Sequence, residues 1–170
     1  MILIFHGSRD ADHNEHAAEI ARAIGLQYAF LYVEPRFTGG PGIPMFISDG
    51  DDYRKALELS SIKTPPLIKW PGIVDYLKSL GAGLYIFHGP DRGESNLGLP
   101  VAFLEGEPSL DEAPCVETAA PVVLTRGYIY KKIAQKYARC NAKLLPPLGE
   151  QKAFLQYLKT AIRLITQDKG

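Results

Sequence analysis

Two histidines occupy matching places in this sequence, each at the end of a short apolar run. Residues 2–5 read Ile-Leu-Ile-Phe before His6, residues 84–87 read Leu-Tyr-Ile-Phe before His88, and a glycine follows each histidine. An imidazole at a strand end can bind a ligand or exchange a proton near neutral pH. The pair therefore marks two candidate functional residues; the plainer alternative is a histidine bonded to a neighbouring loop.

The histidines belong to a longer correspondence between the two ends of the chain. Five segments recur in the same order: residues 4–7 at 86–89, 29–35 at 102–108 with five of seven positions identical, 44–50 at 121–127, 65–67 at 146–148 and 76–78 at 157–159. Self-similarity of this kind indicates a repeated structural unit. We predict an internal duplication with a first repeat at 1–81 and a second at 82–170.

Each repeat alternates apolar runs with stretches of helical spacing. The apolar runs predict strands at 2–6, 28–33, 44–47 and 62–64, and near 83–87, 101–104, 122–124 and 142–145. Caps and periodicity predict helices from Ser8 or Asp10 to Gly25, and near 50–59, 71–80, 128–138 and 150–166. In the second repeat a loop at 93–96 replaces the first helix, and residues 108–117 are compatible with a short helix.

The alternation predicts an α/β fold with parallel strands and right-handed crossovers. Specifically, we expect two small parallel-sheet α/β half-domains, related by the internal duplication and facing each other about a pseudo-twofold axis with a cleft between them. Ligands of open parallel sheets bind beyond the carboxyl ends of the strands. His6 and His88 follow two such ends, one in each repeat.

Composition excludes several classes of partner. Nineteen basic residues balance nineteen acidic ones, so no overall field attracts nucleic acid or an anionic membrane. No apolar run approaches the roughly 20 residues that span a bilayer. The first seven residues lack a basic region and a cleavage site, which predicts a strand and a cytoplasmic protein. Cys115 and Cys140 are expected to be small buried side chains, with a bridge between them left open.

Three motifs resemble those of a known enzyme family. Residues 6–10, His-Gly-Ser-Arg-Asp, look like the opening of the small sirohydrochlorin cobaltochelatases, which are class II tetrapyrrole chelatases. Residues 103–110 resemble that family's second strand and its exit, and residues 144–150 its Pro-Pro-Leu-Gly segment. Small members of the family pair as homodimers and longer members fuse two copies. This chain resembles a shortened fusion, which implies a monomer.

The resemblance implies a metal chelatase, a lyase of cobalamin or siroheme biosynthesis. Such an enzyme inserts a divalent metal, cobalt foremost with iron or nickel as alternatives, into a sirohydrochlorin-type tetrapyrrole held in the cleft. No organic cofactor is implied. The histidine after the first strand binds the metal and helps to remove pyrrole protons, and these roles fall to His6 and His88.

Arginines are the expected partners of the tetrapyrrole's carboxylate arms, because guanidinium binds a carboxylate through two parallel hydrogen bonds. Four of them follow predicted strand ends, namely Arg9, Arg54, Arg92 and Arg126. Among residues next to the histidines, we predict Ser8, Arg9 and Arg92 as substrate-binding residues.

The chain departs from the family at one ligand. The family's second metal-binding histidine stands two residues after the glycine that follows its third strand, where this chain has Asp52 and Ile129. A carboxylate binds metal and isoleucine does not. Asp52 is therefore either a third metal ligand beside His6 and His88 or a first-turn carboxylate favoured by the helix dipole. Correspondingly, the protein is either a chelatase or a non-catalytic module that binds a tetrapyrrole or a metal ion.

The remaining polar residues have simpler expectations. Glu34 and Glu107 precede prolines at matching positions and are predicted to cap or form ion pairs, with a place facing the ligand as the alternative. His13 and His16 fall on a polar helix face and are predicted to be solvated. The glycines at 39–42 lack the Lys-Ser/Thr of a phosphate loop, and no G-x-S-x-G elbow supports an acyl hydrolase.

Overall fold

A computed structural model describes residues 1–167, which contain two parallel sheets and five α-helices. The first sheet has the order β2-β1-β3, with β1 at Ile2–Phe5, β2 at Gln27–Phe30 and β3 at Gly42–Pro44. The second has the order β5-β4-β6-β7, with β4 at Leu84–Phe87, β5 at Val101–Phe103, β6 at Thr118–Pro121 and β7 at Lys143–Leu144. Every pairing is parallel, which confirms the α/β prediction.

The helices lie close to their predicted places. They are α1 at Ala11–Ile24, α2 at Asp51–Leu59, α3 at Ile73–Ser79, α4 at Tyr128–Tyr137 and α5 at Lys152–Gln167. Helix α1 begins as its sequence predicts, because the Asp10 side chain accepts a hydrogen bond from the backbone of Asp12. It ends at Gly25, whose positive φ of 76° is readily adopted only by glycine.

Alternate side chains of the central strands point to opposite layers. Phe5 of β1 and Phe87 of β4 belong to one core, which also contains the apolar faces of α1, α3 and α5. Ile4 points the other way and packs in the cluster of Ala56 from α2, whereas Ile86 packs with Ile133 from α4. The two sheets therefore sandwich α1, α3 and α5, while α2 and α4 cover their outer faces.

Two strands lie a few residues earlier than predicted. The strand expected at 44–47 is Gly42–Pro44, and the one expected at 122–124 is Thr118–Pro121. Gly42 pairs with Ile2 in the sheet, and a side chain does not fit there because Ile4 and Phe37 would lie 2.6 and 2.7 Å from its Cβ. Residues 123 and 124 instead offer their carbonyl oxygens to the backbone of Leu148 and Gly149, both at 2.9 Å.

The strand predicted at 62–64 does not form, although its counterpart β7 does. The Ser60 hydroxyl donates to the carbonyl of Gly42 at 2.6 Å and accepts from its N–H at 3.2 Å. These groups at the start of β3 are therefore bonded to a side chain and are not available to a further strand. The first sheet consequently has three strands and the second has four.

A disulfide links the segment between β5 and β6 to the residues that follow α4. Cys115 and Cys140 form a disulfide, which was the alternative to two free thiols. The helix considered within 108–117 reduces to a single 3₁₀ turn at Leu110–Glu112, followed by the helix-breaking Pro114. Disulfides are rare in the cytosol of most organisms. The bridge thus gives the cytoplasmic prediction no support.

No helix within residues 1–167 is long and apolar enough to cross a membrane.

Candidate functional site

A pocket of about 520 Å³ lies beyond the carboxyl ends of β1, β3, β4 and β6. Both predicted histidines line it, His6 directly after β1 and His88 directly after β4. Its apolar surface includes Phe5, Met45, Phe87 and Val122. The first residues of α2 and α4 also line it, and neither helix has a side-chain cap on its N-terminal amides.

His6 contacts Asp52, the carboxylate that the sequence singled out. His6 Nε2 lies 3.3 Å from Asp52 Oδ2, and the Tyr32 hydroxyl donates to Asp52 Oδ1 at 2.5 Å. This hydrogen bond, with burial and the carboxylate's charge, raises the pKa of Tyr32. Asp52 belongs to the first turn of α2, so it occupies the helix-dipole position and touches the histidine as well.

His88 has a different carboxylate partner. Its Nε2 lies 3.1 Å from Oε2 of Glu105, which follows β5. Glu105 was not predicted as a site residue, although it matches Tyr32 in the repeat and so stands beside its histidine. Ile129, which matches Asp52, lines the pocket without a polar group. Each histidine therefore has one carboxylate partner, and the two carboxylates come from different elements.

His13 lies in the pocket wall, so the prediction of a solvated His13 is wrong. Its Nδ1 is 2.7 Å from Thr125 Oγ1, and its ring centre is 6.4 Å from that of His6, edge to face. Its Nε2 is buried without a hydrogen-bond partner. Burial, assisted by the charge of His6, lowers the pKa of His13 to about 4.

His16 is also buried, with 2% of its surface exposed, which corrects the second solvated prediction. Its Nδ1 accepts a hydrogen bond from the backbone N–H of Arg126 at 3.0 Å. Burial, and next the charge of Arg126, lower its pKa. The helix face that reads as polar in α1 is thus docked against the exit of β6, with which it forms hydrogen bonds.

Of the arginines expected to bind substrate, two already form ion pairs in the described part of the chain and two do not. Arg126 makes two hydrogen bonds to Glu19, at 3.0 and 3.1 Å, and Arg54 bonds to Asp49 at 2.9 Å. Arg9 and Arg92 are exposed and form no ion pair among residues 1–167; of the two, Arg92 lines the pocket.

Ser8 lines the pocket as well, but its hydroxyl is engaged in the turn before α1. It accepts from the backbone N–H of Asp10 at 2.8 Å. The structure therefore leaves Arg92 as the predicted cation best placed to meet a ligand.

Glu94 is a buried carboxylate that the sequence did not indicate. It lies on the loop that replaces the first helix in the second repeat, and 2% of its surface is exposed. One carboxylate oxygen accepts from the Ser48 hydroxyl, and the other accepts from the backbone N–H of Arg92 at 2.6 Å. Glu94 thereby holds the loop that contains Arg92 against the residues that follow β3.

The structure brings the predicted metal ligands to one pocket but not into one closed group. Within residues 1–167, no three His, Cys, Asp or Glu side chains gather closely enough to hold a metal ion between them. His6 and Asp52 are in contact, whereas His88 contacts Glu105. An ion bound here would need water or a ligand's own donor atoms to complete its coordination.

Comparison with known proteins places the chain in no family. No family model, curated protein or solved structure matches it. The resemblance to the chelatases therefore depends on the three motifs at 6–10, 103–110 and 144–150, and function has to be argued from the pocket.

Proposed function

We propose that this protein inserts a divalent metal, cobalt foremost, into a sirohydrochlorin-type tetrapyrrole bound in the pocket. The observation that carries the proposal is that one pocket contains two histidines, each with its Nε2 beside a carboxylate. Insertion exchanges two pyrrole N–H protons for one divalent cation, so the reaction releases two protons per turnover. Two histidine–carboxylate pairs provide one place for the cation and another for the departing protons.

Matching backbone contacts support an internal duplication with two facing half-domains. The N–H of Leu31 donates to Phe5 and that of Leu104 to Phe87, at 3.0 and 2.9 Å. Leu67 and Leu148 likewise donate to Phe46 and Val123, both at 2.9 Å. In this proposal the pocket is the cleft between repeats 1–81 and 82–170, and the pseudo-twofold axis passes through it.

The lining of the pocket suits a flat macrocycle with anionic arms. Aromatic and aliphatic side chains such as Phe5 and Phe87 provide apolar walls. The uncapped N-terminus of α4, which has no acidic residue in its first turn, offers backbone N–H groups and a positive dipole end to a carboxylate. Arg92 adds a guanidinium without an ion-pair partner in the described chain. These groups would hold the carboxylate arms while the pyrrole ring lies between the histidines.

The histidine–carboxylate pairs supply the chemistry. A carboxylate beside an imidazole orients the ring and stabilises the imidazolium formed when the ring accepts a proton. His88 with Glu105 would accept pyrrole protons on its side of the macrocycle. His6 with Asp52 would bind the incoming cation, and the second proton would also leave on the His88 side, through His88 to water. A cation and departing protons repel each other, which favours separate sides for the two events.

The test is cobalt(II) insertion into sirohydrochlorin, followed by the absorbance change of the macrocycle. We expect turnover by the unmodified protein and rates lowered by 10²–10⁴-fold in His6→Ala and in His88→Ala. Glu107→Gln, an exposed carboxylate outside the pocket, is the matched control and should retain the full rate. Unchanged rates in both histidine variants would refute the assigned roles.

A non-catalytic module that binds a tetrapyrrole or a metal ion is the second candidate. It is favoured by the absence, within residues 1–167, of a three-residue metal group and by Ile129 at the place of a ligand. Saturable quenching of sirohydrochlorin fluorescence without metal insertion would support this candidate over the enzyme.

We also propose that the protein is cytoplasmic. We propose further that it is a monomer, because the two repeats already provide both sides of the cleft. Light scattering in solution tests the oligomeric state. A mass near 18.7 kDa is expected, and a stable dimer would contradict the proposal.

A further inference from the structure

An unpartnered nitrogen in the pocket wall has no role in the reaction described above. Within residues 1–167, His13 Nε2 and Thr64 Oγ1 are the buried side-chain polar atoms that lack a hydrogen-bond partner. Thr64 lies outside the pocket, whereas His13 lines it. Buried polar groups in folded proteins are almost always bonded, so an exception at a ligand pocket points to a ligand.

The matching contact, between Ser48 and Glu94, leaves no polar atom without a hydrogen-bond partner. Thr125 and Ser48 match in the repeat, and each hydroxyl contacts a side chain from the other half: His13 for Thr125 and Glu94 for Ser48. Both oxygens of Glu94 are bonded, one to Ser48 and one to the backbone of Arg92. A hydrogen bond between the halves therefore does not require an unbonded polar atom. Packing of the halves does not explain why His13 Nε2 has no partner within the described chain.

His13 lies beside the other histidine of its repeat. The ring centres of His6 and His13 are 6.4 Å apart, at an interplanar angle of 76°. Two imidazoles that share one ion through bonds of about 2 Å have ring centres on the order of 5–6 Å apart. His6 is 45% exposed, with its ring against Tyr32 and its Nε2 beside Asp52, so sharing an ion with His13 requires the ring to turn away from Asp52.

We propose that His13 and His6 form a two-imidazole site for a divalent ion of the cobalt, nickel and zinc class. Thr125 anchors Nδ1 of His13 in the way that outer partners orient metal-binding histidines, which leaves Nε2 as the ligand atom. Asp52 lies next to His6, but these three side chains do not gather closely enough to hold an ion between them, so water completes the coordination. An ion bound by two imidazole nitrogens keeps other coordination positions for water and for pyrrole nitrogens. Such open positions would allow transfer of the ion to the tetrapyrrole. The onward transfer rests on the proposed function, but the binding does not.

The chain's four histidines make the site directly observable. In a ¹⁵N-histidine NMR spectrum, zinc(II) is the diamagnetic probe, and four imidazoles give a fully assignable set. We expect zinc(II) to shift Nε2 of His6 and His13 and to leave His16 and His88 unchanged. Shifts of His6 together with His88, or an unshifted His13, would overturn the proposal.

Variants provide an independent measurement on metal alone. We expect His13→Gln to weaken cobalt(II) binding at least 10-fold, and Thr125→Val to weaken it about 10-fold by freeing the ring. Glu107→Gln is the control and should bind as the unmodified protein does. Unaltered affinity in His13→Gln would refute the site. If that variant does not fold, Thr125→Val and the zinc(II) spectrum decide.

The two proposals fail separately. Intact cobalt(II) affinity in His13→Gln, with insertion still dependent on His6 and His88, refutes the two-imidazole site and leaves the function standing. A zinc(II) site at His6 and His13 in a protein that inserts no metal refutes the function and leaves the site.

Discussion

The surroundings of His6 and His88 differ although the two histidines follow equivalent strands. The carboxylate at His6 comes from the first turn of α2, with Tyr32 bonded to it. The carboxylate at His88 comes from the exit of β5, and the position equivalent to Asp52 is an isoleucine. The strand end and its histidine thus recur, while the partner reaches it from another element. Under the proposed function, this difference suits two histidines with separate tasks.

The contacts between the halves differ in the same way. His13 meets Thr125 on one side, and Glu94 meets Ser48 on the other. The carboxylate is fully bonded, whereas the imidazole keeps a free nitrogen beside His6. The first repeat therefore presents nitrogen donors suited to a metal, and the second presents a histidine–carboxylate pair suited to proton transfer.

Acid should destabilise the protein through the histidines of α1, for which the second repeat has no equivalent. His13 has a pKa of about 4 in the fold against about 6.5 in the unfolded chain. The unfolded state therefore binds the proton first as pH falls, so stability is complete above pH 6.5 and declines toward pH 4. The full loss from His13 is about 3 kcal/mol, and His16 adds to it in the same direction.

Urea unfolding at pH 7, 5.5 and 4.5 measures this loss. In His13→Gln the decline should become smaller, because what remains comes from His16 and, at the lowest pH, from carboxylates such as Glu19 whose pKa is also lowered. An equally steep decline in that variant would place the acid sensitivity elsewhere.

The two carboxylates should affect insertion in different ways. Asp52→Asn and Glu105→Gln are each expected to lower the rate about 10–100-fold, since each removes the partner that orients a histidine. Asp52→Asn should also raise the cobalt(II) concentration needed for half-maximal rate, whereas Glu105→Gln should leave it unchanged. Steady-state kinetics at varied cobalt(II) measures the rate and the half-maximal cobalt(II) concentration. Identical values in the two variants would contradict separate tasks for the two histidines.

The capping glycines of α2 and α4 offer a matched steric pair. A Cβ at Gly127 would lie 2.6 Å from the Cβ of His13, whereas one at Gly50 would have no neighbour within 4 Å. Both are N-cap positions with negative φ, so any capping loss is common to both. We expect Gly127→Ala to lower the free energy of unfolding by about 2 kcal/mol more than Gly50→Ala. Equal losses would mean that His13 does not pack against α4.

The smallest effect concerns the missing fourth strand of the first sheet. Ser60→Ala leaves the N–H and carbonyl of Gly42 without a side-chain partner and should cost about 1 kcal/mol. Hydrogen exchange at the Gly42 amide should accelerate correspondingly. Ser79→Ala, an exposed serine bonded within its own helix, is the control. Unchanged exchange in Ser60→Ala would show that another group blocks the strand.

Local signals in the sequence were sufficient for much of the fold. An aspartate cap and a left-handed glycine bound α1, and apolar runs place β1 and β4 before their histidines. Strands β3 and β6 were shifted, because a glycine and two alanines in them carry little apolar signal. They are recognised only by their pairing with β1 and β4, which the local sequence does not show.

Long-range contacts account for what was missed at the site. His13 and Thr125 are separated by 112 residues, and His16 and Arg126 by 110, so the helical pattern of α1 alone presents both histidines as polar surface. Glu94 follows a glycine-containing turn and gives no sign of burial. His6 and His88 line one pocket as their places at strand ends predict, whereas Asp52, which lines it too, was singled out by the resemblance to the chelatases.

The most direct test of the central claim is the coupling of cobalt(II) insertion to proton release. Sirohydrochlorin and cobalt(II) are mixed with the protein in weak buffer, while absorbance follows the macrocycle and an indicator follows protons. The proposed function predicts turnover with two protons released per cobalt(II) inserted, and a loss of both signals in the His6→Ala, His88→Ala double variant. Saturable sirohydrochlorin binding with neither signal from the unmodified protein would contradict it.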